Sequence, residues 1–401
     1  MINTTPTKGS KFLGPLALLI LTQSMISWGV FAPPVVAMQA LPDIGLNPIW
    51  IGGQPSIVFI AAMIIGVLAS SWVAKINPMR ATQIFVFCTA VGVILISTGH
   101  IVSFIVGSAL IGAALGPATP ASSHILARVT PEKLQPLVFS IRQSSVPLGG
   151  VLAGVITPLL MEQWGWQISL MTIAIPCLAS IAIVEIWVKS YNAHAVSQDK
   201  HSITFIEPIK LVLSIPSLKW LTLGMMPLVI AQYSLTTFIV IYLQKDINLS
   251  VITAGWVLGI AQAAGAGGRI LFGLLAVKFA HPLIVLICLS ALASISSILT
   301  SLQTEYWALG IIFLIGAVFG ASAAGWNGVF LAETARQSPS GTVSKVTGGL
   351  TFFIFGALVI GPAGFALLIE QTSFSFSYAL IGLTLILSIY SFFRCYKEIK
   401  S

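Results

Sequence analysis

Arg142 is the strongest candidate for ligand chemistry in this sequence. A guanidinium can hold a carboxylate through two parallel N–H···O bonds, and Arg142 stands just inside an apolar run that begins near residue 137. The same side chain could instead snorkel to a membrane interface and serve as an anchor, a reading of equal weight. Gln143 follows it. Further polar and aromatic residues lie deep in other apolar runs: Gln23, Ser27 and Trp28; Gln232, Tyr233 and Thr236; Gln262; Trp326 and Asn327. Such groups either line a cavity and hydrogen-bond a solute, or bond one another between helices.

Titratable chemistry is sparse at depth. His124 could carry a proton near neutral pH, although a lone histidine near a helix end is more often only hydrogen-bonded. Burying an isolated charge at the centre of a membrane costs at least ~3 kcal/mol on insertion scales. All eleven acidic residues fall in loops or near the ends of apolar runs. A site without a buried carboxylate is poorly suited to a lipophilic cation, so an anion or neutral solute is the better expectation. Glu333, Arg336, Lys345 and Arg269 cluster near run ends and are expected to form either a gate network or static salt bridges. The sequence has no phosphate-cradling Gly-Lys-Ser/Thr loop and no Cys/His metal spacing, and no enzyme activity, cofactor or metal is expected.

These residues must be positioned by membrane helices. Of 401 residues 57% are hydrophobic and 7% charged, whereas soluble domains carry about 25% charged residues, and the mean hydropathy is +0.99. Runs long enough for a hydrocarbon core that needs about 20 residues per helix predict an all-α membrane protein with twelve spans. They lie near residues 12–37, 49–73, 81–99, 103–127, 137–160 and 168–188, then 218–243, 251–275, 283–301, 306–331, 345–369 and 375–393. Residues 190–217 form the longest polar stretch, dividing a unit at 1–189 from one at 218–401, with an interfacial segment near Ile203 to Ile215. With twelve spans, every Lys and Arg except Lys245 falls on the side of the termini. The positive-inside rule then makes both termini and the linker cytoplasmic. Trp164, Trp166, Tyr306 and Trp307 fall opposite, as expected of interfacial anchors.

The two units share punctuation. Ser70 to Arg80 closes span 2 and Gly273 to His281 closes span 8, about half a chain later; Glu162-Gln163 and Glu370-Gln371 end spans 5 and 11 in the same way. Recurrence at half the chain length points to a duplicated six-helix unit. With these features the chain resembles the major facilitator superfamily over essentially its whole length. Its loop 2/3 pattern, Gly-x-x-x-Asp-Arg-x-Gly-Arg, is echoed twice, with Ala74 and Val277 where the family has Asp and with Lys75 and Lys278 as the basic partners. Arg142 to Gly154, containing Pro147, Gly149 and Gly150, resembles the helix 5 antiporter signature, with Val146 in place of a Gly. Gly361 and Pro362 lie in its counterpart.

A Pro with spaced glycines thins a helix face and lets it bend against a neighbour; ordinary close packing accounts for most such glycines. Gly116 to His124, with Pro117 and Pro120, is expected to be a broken, polar-lined segment of span 4, and the run on to Arg128 resembles the family's exit from that helix. The resemblance implies spans 1, 4, 7 and 10 around a central cavity, and the gating or coupling candidates are Lys75, His124, Arg128, Arg269, Lys278, Glu333 and Arg336. The expected function is secondary transport of a small organic anion or neutral metabolite by a monomer in a bacterial inner membrane, with proton coupling. Its partners would be the solute, protons and the bilayer, with no nucleic acid. Efflux of amphipathic compounds is one alternative, and a non-transporting receptor on the same fold is another.

Overall fold

The computed structural model describes residues 12–47, 49–73, 76, 78–131, 134–188, 206–278, 281–339 and 342–400. Among them are fourteen α-helices and no strand. This is the arrangement that lipid enforces on a chain with long apolar runs, because each helix satisfies its own backbone polar groups. In order they are α1 (Leu13–Ile44), α2 (Trp50–Val73), α3 (Pro78–Ser97), α4 (Ile101–Val129), α5 (Gln135–Gln143), α6 (Ser145–Met171) and α7 (Ala174–Val188). Next comes the short α8 (Ile206–Ser214). There follow α9 (Pro216–Lys245), α10 (Val251–Lys278), α11 (Pro282–Ser301), α12 (Leu309–Gln337), α13 (Val343–Gln371) and α14 (Phe374–Lys400). Ten helices among the described residues are long and apolar enough to cross a membrane, and two shorter apolar stretches, Trp50–Gly66 and Ala174–Ile186, lie in α2 and α7.

Helix boundaries follow local chemistry. α1 runs past its expected end to Ile44, where Gly45 takes a left-handed conformation (φ 76°) and donates to the Pro42 carbonyl while Leu46 N donates to Leu41 O. This is the usual glycine stop of a helix. The expected single span 5 is two helices, broken at Ser144. The hydroxyl of Ser145 bonds the Arg142 carbonyl at 2.5 Å, and Pro147 has no N–H to offer the Gln143 carbonyl four residues back. At the far end of α6, Gly165 (φ 80°, ψ 167°) turns the chain sharply. The break expected in span 4 is absent, since α4 continues through Pro117 and Pro120. Its Gly112 and Gly116 sit directly on the Val58 and Ala62 carbonyls of α2, and that close packing keeps the segment helical. α13 likewise runs through Gly361 and Pro362 without interruption.

Packing divides between contacts within α1–α7, contacts within α9–α14, and a few crossings between these two sets. α1 packs on α6, and α4 on α2 and α3; α10 packs on α12, and α14 on α9 and α11. The main crossings are α6 on α10 and α2 on α13. Both depend on missing side chains. A Cβ on Gly154 of α6 would stand 2.6 Å from the Gly255 carbonyl and 2.7 Å from Gly259 N of α10, and one on Gly255 would strike the Gly154 carbonyl. In the second crossing, Gly52 abuts the Pro362 carbonyl, and Ser56 Oγ donates to Val359 O at 2.8 Å. The short helix α8 rests on α13, where Lys345 Nζ meets Glu207 Oε1 at 3.0 Å.

One expected anchor is misplaced. Trp164 is exposed, but Trp166 is 2% exposed and donates from Nε1 to Asp43 Oδ2 at 2.7 Å. A carboxylate within reach at the end of α1 draws the indole into the protein and away from lipid.

The α6–α10 seam yields a direct test. Gly154→Val should lower thermal stability in detergent by about 1–3 kcal/mol, the usual cost of overpacking. Gly267→Ala, where no atom lies within 4 Å of the new Cβ, should be neutral or slightly stabilising by helix propensity. Equal melting temperatures for the two variants would show that the seam is looser than drawn here.

Candidate functional site

Arg142 is 1% exposed and is held from two helices. Its Nη2 donates to Gln23 Oε1 of α1 at 2.8 Å and to the Ala118 carbonyl of α4 at 3.3 Å, and Nη1 donates to Thr119 Oγ1 at 3.2 Å. Its Nε is buried without a hydrogen-bond partner. The anchor reading of Arg142 is therefore wrong: the side chain turns inward, because a fork of neutral acceptors on α1 and α4 replaces water. Gln23 is oriented in turn by a 3.4 Å bond from its Nε2 to Ser27 Oγ.

The second buried cation is Arg269 of α10, 5% exposed. Its Nη1 donates to the Gln143 carbonyl at 2.5 Å and its Nε to the Ala324 carbonyl of α12 at 3.1 Å. The first of these acceptors is the carbonyl that Pro147 leaves without a helical partner, so the proline's chemistry supplies the seat for an arginine from another helix. Asn327 Nδ2 shares the Ala324 carbonyl at 3.2 Å. Arg142, Gln143, Gln23, Ser27, Arg269 and Asn327 thus form one hydrogen-bonded neighbourhood. Arg269 stood in the sequence reading with Glu333 and Arg336; the structure separates them.

The remaining polar candidates form satellite pairs. Trp28 Nε1 donates to Thr157 Oγ1 at 2.9 Å, joining α1 to α6. Trp326 Nε1 donates to Gln232 Oε1 at 3.1 Å, joining α12 to α9. Gln262 Nε2 donates to Thr236 Oγ1 at 3.2 Å, and its side chain lies over Gly150. Gly149 lets the backbone of α1 approach between Ser24 and Trp28. Tyr233 of α9 reaches Phe31 and Phe59, with ring centroids 6.1 and 5.0 Å away.

Glu333 and Arg336 form their own cluster. Glu333, 0% exposed, accepts from Arg336 Nε at 2.9 Å and Nη2 at 2.6 Å, and from Gln337 Nε2 at 2.6 Å. Arg336 Nη2 also lies 2.8 Å from His281 Nε2. Lys345 is not part of this cluster, since it meets Glu207 instead. Pro117 is buried in α4. The side chains of Pro120, His124, Arg128 and Lys278, and all of Lys75, lie outside the described residues.

Two features escaped the sequence. Arg269 sits in Gly267-Gly268-Arg269-Ile270-Leu271, close enough to a run end to look like a gate residue, and only the vacant carbonyl four residues before Pro147 hinted at its acceptor. Thr119 and the Ala118 carbonyl gave no separate signal.

A family model described as the Major Facilitator Superfamily matches residues 17–348. Among solved structures, a bacterial homologue of the human lysosomal transporter Spinster, inward-facing and unoccupied, aligns with a TM-score of 0.73 at 16% identity over 98% of this chain and 99% of that one. The nucleoside transporter NupG (D323A mutant) aligns at 0.75 and 14% over 96% and 100%. A POT family transporter in complex with 5-aminolevulinic acid aligns at 0.74 and 14% over 96% of each chain. These likenesses establish a shared fold. No curated protein matches the sequence.

The support under Arg142 can be measured. Gln23→Leu removes an acceptor from a buried guanidinium and should destabilise the protein by about 1–3 kcal/mol, read as a lower melting temperature in detergent. Ser301→Ala, which removes only a bond to its own helix, should change it little. If Gln23→Leu melts like the parent, the Arg142–Gln23 bond contributes nothing.

Proposed function

The chain belongs to the Major Facilitator Superfamily and is a multi-pass membrane transporter, and we propose that it is a secondary active transporter for a small organic anion or neutral metabolite, with an anion favoured. The observation that carries this reading is Arg142: a buried cation whose hydrogen-bond partners among the described residues are all neutral oxygens, and whose Nε–H has none there. A buried charge without a counterion is costly, and a carboxylate or phosphate arriving as substrate offsets that cost. A neutral solute would gain hydrogen bonds from the same groups but leave the charge.

The transport cycle in this reading is alternating access. Twelve spans make two six-helix units, 1–189 and 218–401, joined by a linker at 190–217, with both termini on the cytoplasmic side of a bacterial inner membrane. The charge distribution supports that orientation, and the seams of α6 on α10 and α2 on α13 are the surfaces on which the units rock as one side closes and the other opens. Protons move alongside the anion, which lowers the net charge carried through each step. The monomer is the working unit.

Counterflow of radiolabelled carboxylates in proteoliposomes, with and without a protonophore, tests the proposal. Arg142→Gln should lower exchange of an anionic substrate by roughly 10- to 100-fold, the range expected for loss of a charge-assisted hydrogen bond. Unchanged exchange in that variant refutes the role of Arg142. Binding without exchange in the parent refutes transport of that solute. Resistance of an overexpressing strain to amphipathic compounds, with no carboxylate exchange, establishes efflux instead.

A further inference from the structure

Two buried cations, not one, meet around the Gln143 backbone, and among the described residues no carboxylate is paired with either. Arg142 and Arg269 are 1% and 5% exposed. Arg269 is bonded to the carbonyl of Gln143, the residue next to Arg142. The ion pairs among the described residues are Arg80–Glu185, Arg336–Glu333, Lys345–Glu207 and Arg394–Glu398, and none reaches either arginine. The partners of both are carbonyl, amide and hydroxyl oxygens. Such groups solvate a cation but neutralise nothing.

Donor capacity points the same way. A guanidinium has five N–H groups. Toward the described residues Arg142 uses three and leaves two, one of them the unpartnered buried Nε–H, and Arg269 uses two and leaves three. The open donors therefore belong to both residues. Their mutual repulsion also raises the cost of burying either one. A monoanion placed here pairs one charge and leaves the other unbalanced, whereas a dianion balances both.

We propose that Arg142 and Arg269 form a two-arginine clamp that selects a small dianion, a dicarboxylate or a phosphate species, over monoanions of the same size. This rests on the transporter reading above and adds the charge of the substrate to it. The clamp's two sides are anchored differently. Arg142 is tied to α1 and α4 through Gln23, Ala118 and Thr119, and Arg269 is tied to α12 through Ala324. A dianion held between them bridges the α1–α4–α5 group to the α10–α12 group, so its binding draws together helices that the chain separates by more than a hundred residues.

The test uses the full chain in nanodiscs, with binding measured by calorimetry at fixed ionic strength. The probes are succinate, its monoanionic isostere succinamate, and inorganic phosphate at a pH where the dianion prevails. Succinate or phosphate should bind roughly 10- to 100-fold tighter than succinamate. Arg269→Gln should erase that preference while succinamate binding persists, and Arg269→Lys, which keeps the charge, should retain most of it and serve as the folding control. Phosphate binding without succinate binding assigns the site to phosphate species, and the reverse assigns it to dicarboxylates; either supports the clamp. Anion binding with no preference for two charges overturns it, as does a preference that survives Arg269→Gln. Failure of the parent to bind any anion overturns the anion reading itself.

Discussion

In hydrocarbon, every backbone carbonyl and N–H must find its partner inside the protein, and most features of this molecule follow from where prolines break that rule. Pro147 withholds an N–H from the Gln143 carbonyl, and Arg269 takes the place of the missing donor. Pro158 likewise has no N–H for the Gly154 carbonyl, which lies against Gly255 of α10. At Pro147 an interruption of one helix becomes an attachment for another. An unfilled carbonyl at this depth would cost several kcal/mol, so the crossing between α5–α6 and α10 is fixed by backbone chemistry as much as by side-chain fit.

Small residues set how near those helices come. Lipid tails are as apolar as Leu, so helix association in a membrane relies on dispersion contact and hydrogen bonds, and close backbone approach increases both. Gly154, Gly255 and Gly259 on one crossing and Gly52 on the other meet carbonyls where a Cβ would collide. The result is two seams in which backbones meet directly at glycines. Surfaces of that kind can slide or rock with little repacking, whereas an interdigitated core would resist.

The helical membrane fold was plain in the sequence because it depends on run length and composition, both of which are local. The polar neighbourhood was partly readable for the same reason: Arg142, Gln23 and Asn327 stand out as polar residues in apolar runs. What the sequence concealed was pairing at a distance. Nothing local places Arg269 beside Gln143, since the two are 126 residues apart in the chain. Trp166 looks like an interfacial anchor until Asp43, 123 residues away in the chain, supplies its acceptor. Pro117 and Pro120 imply a broken helix by intrinsic preference, and tertiary packing of α4 on α2 overrides it. The break came instead at Ser144, where the Ser145 hydroxyl and Pro147 act together on one turn.

A clamp of two arginines also constrains the energetics of any rocking motion between these helices. Separating two like charges is favourable when the site is empty, and bringing them together is favourable only when an anion stands between them. A ligand shifts a conformational equilibrium only by the difference in its affinity for the two states. On the proposed reading, a dianion that touches both guanidinium groups binds the state in which they are close far better than the one in which they are apart, while a monoanion held by Arg142 alone discriminates little. Selectivity for charge and coupling of binding to motion would then have one origin, two buried arginines with no carboxylate paired to either among the described residues.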